Sequence, residues 1–200
     1  MSKKNQNSLA EFINCLGIAE LQTSILYKDL ASKTEAPMIR VLLQEIAIDS
    51  QKHSTLLKGV SESIGNPKGD PKKCLKHDVV LQKIVQLQRE ASKIQKISSE
   101  DLSNLNERLQ LLESQLSEEY YLLVQMKTLT QMAQQILQDY NIDLNDVKRI
   151  FTSIISDEEH HTELLETIKK MVTPPLDLMG NTPQVKFQNP DAWYQSPSPT

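Results

Sequence analysis

Glycine and aromatic side chains are scarce in this chain, and their scarcity argues against a β-rich fold. Only 5 of the 200 residues are glycine and 4% are aromatic, whereas β-sandwiches and barrels use glycine in their turns and aromatic residues in their strands. A basic excess is also missing, since 22 Lys and Arg residues stand against 26 Asp and Glu residues. This balance argues against a dedicated nucleic-acid-binding protein and predicts no nucleic-acid partner.

The chain is also poor in cysteine and in long apolar runs. Its two cysteines, Cys15 and Cys74, form no Cys-x-x-Cys pair, which excludes a rubredoxin-like iron knuckle or a zinc ribbon. So few cysteines predict no disulfide framework and fit a reducing compartment. No uninterrupted apolar run approaches the about 18–20 residues of a membrane span, and Glu11 and Glu20 interrupt the segment where a secretory signal would lie. We therefore expect a cytoplasmic protein without a membrane partner.

Proline divides the sequence into a long helical region and a tail. Six of the nine prolines lie at Pro174 or beyond, in a stretch rich in Ser, Asn and Gln, so residues 173–200 are predicted to form a flexible tail. Residues 1–172 are predicted to form one all-α domain. Caps and hydrophobic periodicity predict four long helices and a connector: from the Ser8–Glu11 capping box to about 32, from about Pro37 to Ile64, over 78–97, from Ser98–Asp101 to about Tyr140, and from Asp143 or Asn145 to about Val172.

Each long helix carries a row of apolar residues at alternating steps of three and four, which we call its seam. Polar residues interrupt these seams near mid-height: Glu20 in the first helix, Glu119 in the third, and Glu158 with His161 in the fourth. A buried, unpaired carboxylate is strongly destabilising. Interruptions of three seams at compatible heights therefore predict one or two bound divalent cations.

The second helix matches the fourth without gaps. The segment Asp49-Ser50-x-x-His53 aligns with Asp157-Glu158-x-x-His161, so that His53 takes the place of His161. The first and third helices match as well, because Glu20-x6-Tyr27 parallels Glu119-x6-Met126. These two matches predict that the chain is an internal duplication of one helical hairpin.

The pattern resembles a known family of metal proteins. A Glu on each of two helices, with Glu-x-x-His on each of the other two, is the di-iron arrangement of ferritin-like bundles. Asp157-Glu158-x-x-His161, together with Glu20-x6-Tyr27, is similar to the rubrerythrin branch over about residues 9–172. The resemblance implies a ferritin-like four-helix bundle. A crossover helix at 78–97 would reach about 30 Å and make the second and third long helices parallel.

The resemblance also implies chemistry. It implies a carboxylate-bridged di-iron site that reacts with peroxide or oxygen, with manganese as a further candidate metal, in an oxidoreductase whose halves often pair as homodimers. Without rubredoxin cysteines, a peroxidase cycle would need an external electron donor. By the family pattern, Asp49 and Asp157 orient the histidines of the opposing helices, and Tyr27 lies near the site. The implied metal ligands are Glu20, His53, Glu119, Glu158 and His161.

One residue departs from the family pattern. Ser50 stands where the family has a glutamate that bridges both metals, and a serine hydroxyl is a poor ligand for a hard cation beside carboxylates. Asp49 is a candidate substitute ligand, because it lies one helical turn from His53. The sequence leaves open two interpretations. The first is a di-iron oxidoreductase, which would hold two metals, or one metal if Ser50 abolishes the bridge. The second is a metal-poor or metal-free scaffold with a degenerate site.

Overall fold

The computed structural model describes residues 3–65, 67, 70–125 and 144–173, and within them the protein is all-helical, as predicted. One isolated parallel β-bridge joins Thr34 to Ile97. The predicted tail and the predicted extension of the third long helix to Tyr140 lie outside the described residues. Six helices are seen in the described part of the chain: α1 (Lys3–Lys33), α2 (Pro37–Ile64), α3 (Pro71–His77), α4 (Val79–Ala91), α5 (Ser99–Gln125) and α6 (Leu144–Val172).

The helices begin where local capping chemistry allows. Pro37 opens α2 in its first turn, where a missing N–H costs nothing. Ser98 and Asp101 form a reciprocal box before α5, in which each backbone N–H donates to the other side chain, at 2.9 and 3.1 Å. Asp78 caps α4 by accepting from the backbone N–H of Leu81 at 2.8 Å.

Three predicted boundaries differ from the structure. The first helix begins at Lys3 rather than at the Ser8–Glu11 box, so that box lies inside α1. The predicted 78–97 connector ends at Ala91, because the chain turns there and the backbone N–H of Ile97 donates to the Lys33 carbonyl. A short additional helix, α3, precedes it. Asn145 lies inside α6, whereas Asp143 is outside the described residues.

Close antiparallel packing joins α1 to α2. Serine hydroxyls of α2 donate to α1 carbonyls, from Ser54 to Gly17 at 2.7 Å and from Ser61 to Ala10 at 2.6 Å. A Cβ at Gly17 would lie 3.3 Å from the Leu57 Cβ, so this crossing favours glycine. The two helices therefore form one rigid, closely spaced pair.

The second antiparallel pair consists of α5 and α6. The side-chain amide of Asn106 on α5 donates to the Leu165 carbonyl on α6 at 2.8 Å, inside the core. Nearer the surface, Lys169 lies 3.2 Å from Glu107. Further along the pair, Glu113 of α5 lies 3.1 Å from His161 of α6. Residue numbers thus rise from Asn106 to Glu113 on α5 as they fall from Leu165 to His161 on α6, so the two helices run in opposite directions.

The connector α4 carries the chain along α1. Gln88 donates to the Gln22 carbonyl and Lys33 to the Ala91 carbonyl, both at 2.8 Å. Ile97 then lies beside Lys33. Because α5 starts at the end of the molecule where α2 also starts, α2 and α5 run in the same direction, as a crossover requires.

The two cysteines form a disulfide bond between α1 and α3, so the expectation of no disulfide is wrong. Cys15 and Cys74 are 59 positions apart in sequence, but the crossover returns α3 to the side of α1. Lys73, which neighbours Cys74, also pairs with Glu11 of α1 at 2.6 Å. The short helix α3 is thus tied covalently and ionically to α1.

One helical segment, Asn7–Lys33, is long and apolar enough by composition to cross a membrane, with a mean hydropathy of 1.2. Of its most apolar window, 56% is buried inside the protein, as in the core helix of many folds. The absence of a membrane partner stays a prediction.

Candidate metal centre

Five ionisable side chains from four helices meet in the core. Each is at most 1% exposed, and they are Glu20 of α1, His53 of α2, Glu113 of α5, and Glu158 and His161 of α6. Four of the five are residues that the seams predicted, and the structure brings those four together. Because all five are removed from water, the cluster must balance its charges internally or through a bound cation.

The first group consists of Glu20, His53 and Glu158. The Nδ1 atom of His53 lies 3.0 Å from Oε1 of Glu158 and 3.7 Å from Oε1 of Glu20. One potential ligand atom from each residue lies within 4.8 Å of the others, a spacing that could hold a metal ion. Two carboxylates and an imidazole are ligands that Fe²⁺, Mn²⁺ and Zn²⁺ accept.

The second group consists of Glu113, His161 and again Glu158. The Nδ1 atom of His161 lies 3.1 Å from Oε2 of Glu113 and 3.6 Å from Oε2 of Glu158. The two oxygens of Glu158 therefore face different histidines. The two imidazole rings have their centroids 6.1 Å apart, so Glu158 stands between two similar groups.

Several of these atoms are buried without a hydrogen-bond partner within the described part of the chain. They include both oxygens of Glu158, Oε2 of Glu20 and Nδ1 of His53. The 3.0 Å separation of His53 Nδ1 and Glu158 Oε1 is that of an ion pair when the imidazole is protonated. Unpaired buried polar atoms are destabilising by about 1–3 kcal/mol each, and more when charged. Carboxylate and imidazole atoms that converge in this way can bind a cation when the histidines release their protons, and the residues present thus fit a metal site.

The cluster carboxylates of α1 and α5, Glu20 and Glu113, each accept a hydrogen bond from a tyrosine of the other helix. The Tyr27 hydroxyl of α1 donates to Oε1 of Glu113, and the Tyr120 hydroxyl of α5 donates to Oε1 of Glu20, both at 2.5 Å. Burial, followed by the charge of these glutamates, raises the pKa of both tyrosines well above the usual value. Both hydroxyls therefore stay protonated donors and fix the glutamate rotamers. Tyr120, which the seams do not single out, thus belongs to the site.

Two aspartates lie behind the histidines. Asp157 of α6 accepts from Nε2 of His53 at 2.9 Å, and Asp49 of α2 lies 3.6 Å from Nε2 of His161. Lys52 contacts both aspartates, at 2.7 and 2.8 Å. Asp49 is therefore paired with Lys52 on the outer side of the histidines and lies outside both groups.

Ser50 is fully buried in the helical position that corresponds to Glu158. Its hydroxyl donates to the Ile46 carbonyl of its own helix at 3.0 Å. The hydroxyl is thus satisfied by a carbonyl of its own helix. The centre has one central carboxylate instead of the two that the full pattern would supply.

The pKa shifts show how the cluster stores protons. Burial would lower the pKa of both histidines, but the neighbouring carboxylates outweigh burial and raise the pKa of His53 to about 10 and that of His161 to about 11. Burial, followed by the charges of Glu20 and Glu113, raises the pKa of Glu158 to about 8. The pKa of Glu113 is lowered, because His161 and Tyr27 together outweigh its burial. Protons and metal ions therefore compete for this cluster.

Glu119, the residue that the seam of the third long helix predicted, lies outside both groups. It lines a cavity of about 360 Å³ beside the disulfide and Asp78. Burial and the charge of Asp78 raise the pKa of Glu119 to about 7. Glu113, six residues earlier, takes the predicted position in the cluster.

A sequence signal for Glu113 was present. Glu113-x6-Tyr120 repeats the spacing of Glu20-x6-Tyr27, and in both cases the tyrosine is buried beside the cluster. The alternative match of Glu119-x6-Met126 kept the glutamate and the following lysine and leucine but lost the tyrosine. Asn106, buried seven residues before Glu113, continues the same row.

Comparisons with models of known protein families, with curated proteins and with solved structures found no match. The chemistry of the cluster therefore has to be argued from its own residues. These supply three carboxylates and two imidazoles, a set of hard and intermediate ligands suited to first-row divalent metals.

Proposed function

We propose that the chain is a rubrerythrin-like, non-haem di-iron oxidoreductase that reduces peroxide or oxidises ferrous iron. In this proposal Glu20 and His53 hold one metal, Glu113 and His161 hold the other, and Glu158 bridges them. A di-iron pair would supply the electrons for the reduction of peroxide or oxygen. The protein would supply a dry cavity and fixed ligand geometry.

The position of Glu158 is the observation that carries the proposal. Its carboxylate is 1% exposed, neither oxygen has a hydrogen-bond partner in the described part of the chain, and each oxygen faces a different histidine. A structural glutamate would be expected to find at least one donor after burial. A carboxylate between two cations needs no such donor, because it contributes negative charge to both and offsets their repulsion.

An approximate twofold relation supports the ferritin-like interpretation of the fold. Glu20, Tyr27 and His53 of the α1–α2 pair correspond to Glu113, Tyr120 and His161 of the α5–α6 pair. The corrected match is therefore Glu20-x6-Tyr27 with Glu113-x6-Tyr120. We accordingly propose a four-helix bundle built from two duplicated hairpins, with α4 in the crossover.

The two groups differ in readiness for a cation. In the Glu20–His53–Glu158 group, each residue offers one atom without a hydrogen-bond partner. In the other group, both oxygens of Glu113 are already engaged, by Tyr27 and His161. We therefore propose that the first group is the tighter site. In the metal-bound protein, His53→Ala should remove the tight site and His161→Ala the loose one.

A metal-poor or metal-free scaffold is the second candidate, and the local bond of Ser50 to Ile46 favours it. Without a second bridging carboxylate, one metal or none would remain at working concentrations. Iron is the proposed metal and manganese the substitute. The external electron donor, a homodimer and a cytoplasmic location stay predictions.

The test is an equilibrium titration of metal-stripped protein with Fe²⁺ under anaerobic conditions, or with Mn²⁺. The wild type should bind two cations per chain, one tightly and one loosely. Glu158→Gln should weaken both, because the variant keeps the volume and loses the charge. Glu119→Gln is the matched control on α5 and should bind as the wild type does. Equal binding by all three proteins would refute the proposed site.

A further inference from the structure

A cleft between α5 and α6 opens at the protein surface and reaches the cluster. Its volume is about 510 Å³, and Glu158 forms part of its lining. The cleft therefore touches the one residue that both groups share. Four side chains with hydroxyl groups, those of Ser114, Ser117, Tyr121 and Thr162, line the same cleft.

We propose that divalent cations enter the buried centre from solvent through this cleft, with Glu158 as the first ligand that they meet. The inference rests on the proposed function, because it requires that the cluster bind metal. Glu158 is 1% exposed, has two oxygens without hydrogen-bond partners among the described residues, and forms part of the lining of the cleft. A cation that reaches Glu158 therefore competes only with protons and with the two histidines for its oxygens.

The negative charge of the cleft favours cations over anions. Glu118 and Glu159, both exposed, add two carboxylates to its lining, and within the described part of the chain no ion-pair partner of either is seen. Carboxylates at the mouth of a cleft raise the local concentration of cations and lower that of anions. Hydroxyl and carboxylate oxygens along the path can replace the hydration waters of a hard cation one at a time.

The experiment measures the rate of metal uptake separately from its equilibrium. Metal-stripped full-length protein is mixed with Co²⁺ in a stopped-flow instrument, and the visible absorption of the bound ion is followed at low and high salt. The cleft variant is Glu118→Gln/Glu159→Gln. The control, Glu62→Gln/Glu166→Gln, changes the net charge equally at two exposed positions outside the lining.

The cleft variant should load about tenfold more slowly at low salt, with the difference lost at high salt because the charges are then screened. Its equilibrium affinity should stay that of the wild type, since neither residue belongs to the two groups. The control should load at the wild-type rate. A second variant, Ser117→Trp, should slow loading at every salt concentration by obstructing the path.

Equal rates for the wild type, the cleft variant and the control would overturn the inference, and so would equal slowing of both double variants. Failure of the wild type to bind Co²⁺ at equilibrium would refute the proposed function itself. The two failures are therefore distinguishable. Because both double variants change exposed side chains, a folding defect in Ser117→Trp would leave the charge comparison intact.

Discussion

Removal of the bond between Cys15 and Cys74 should lower the free energy of unfolding by an amount set by the length of chain that the bond closes. The bond closes a loop of 59 positions, and in the chain-entropy account a loop of that length restricts the unfolded chain by about 4 kcal/mol. Natural domains have a free energy of unfolding of about 5–15 kcal/mol. The bond would therefore supply a large share of the total.

The assay is urea unfolding of the wild type and of the Cys15→Ser/Cys74→Ser variant, each with and without dithiothreitol. We expect the variant to lose about 4 kcal/mol, or about 10 °C in Tm for a chain of this length. Reductant should lower the wild type to the level of the variant and leave the variant unchanged. Thiol titration of the unfolded, unreduced wild type should detect no free thiol. Two free thiols, together with equal stability of all four samples, would refute the reasoning.

Three further predictions concern the buried cluster. Ser50→Glu should raise the affinity for the weaker of two cations by supplying a second bridging carboxylate; if calorimetry shows lower stability and no additional metal, the cavity has closed around the serine. Tyr120→Phe should lower stability by about 1.5–3 kcal/mol in denaturant unfolding, because Glu20 loses its donor, and an unchanged midpoint would argue against that bond. Metal-free protein should lose stability as pH rises above about 6.5, since native His53 and His161 keep protons that the unfolded chain releases. Metal affinity should instead rise with pH. A stability of the metal-free protein that is constant or rising from pH 6 to 9 would contradict this.

Most helix boundaries could be predicted because the signals that set them are local. Pro37 and the Ser98–Asp101 box lie within one turn of the helices that they start. The Ser8–Glu11 box failed because the residues before it also extend the helix, from Lys3 onward. Local sequence signals are therefore a weak guide to the exact turn at which a helix begins.

The site could be predicted only in part. A seam indicates which residues are buried, but on a long helix two neighbouring rows of residues can both fit its spacing. On α5, rows through Leu112 and Glu119 and through Glu113 and Tyr120 both follow the helical period, and only packing against α1 decides between them. The disulfide was beyond the sequence for a similar reason. Two cysteines 59 positions apart meet only because α3 folds back on α1, which is a tertiary contact without a local signal.

The most direct test of the account is the metal content of the protein after expression in iron-replete medium, measured by elemental analysis with the visible absorption spectrum. The account predicts up to two irons per chain, at least one of them tightly held, and the loss of both in the Glu158→Gln variant. It also predicts that Glu119→Gln keeps the wild-type content. A wild-type protein that holds no metal, and whose unfolding is unaffected by added Fe²⁺ or Mn²⁺, would contradict the metal centre.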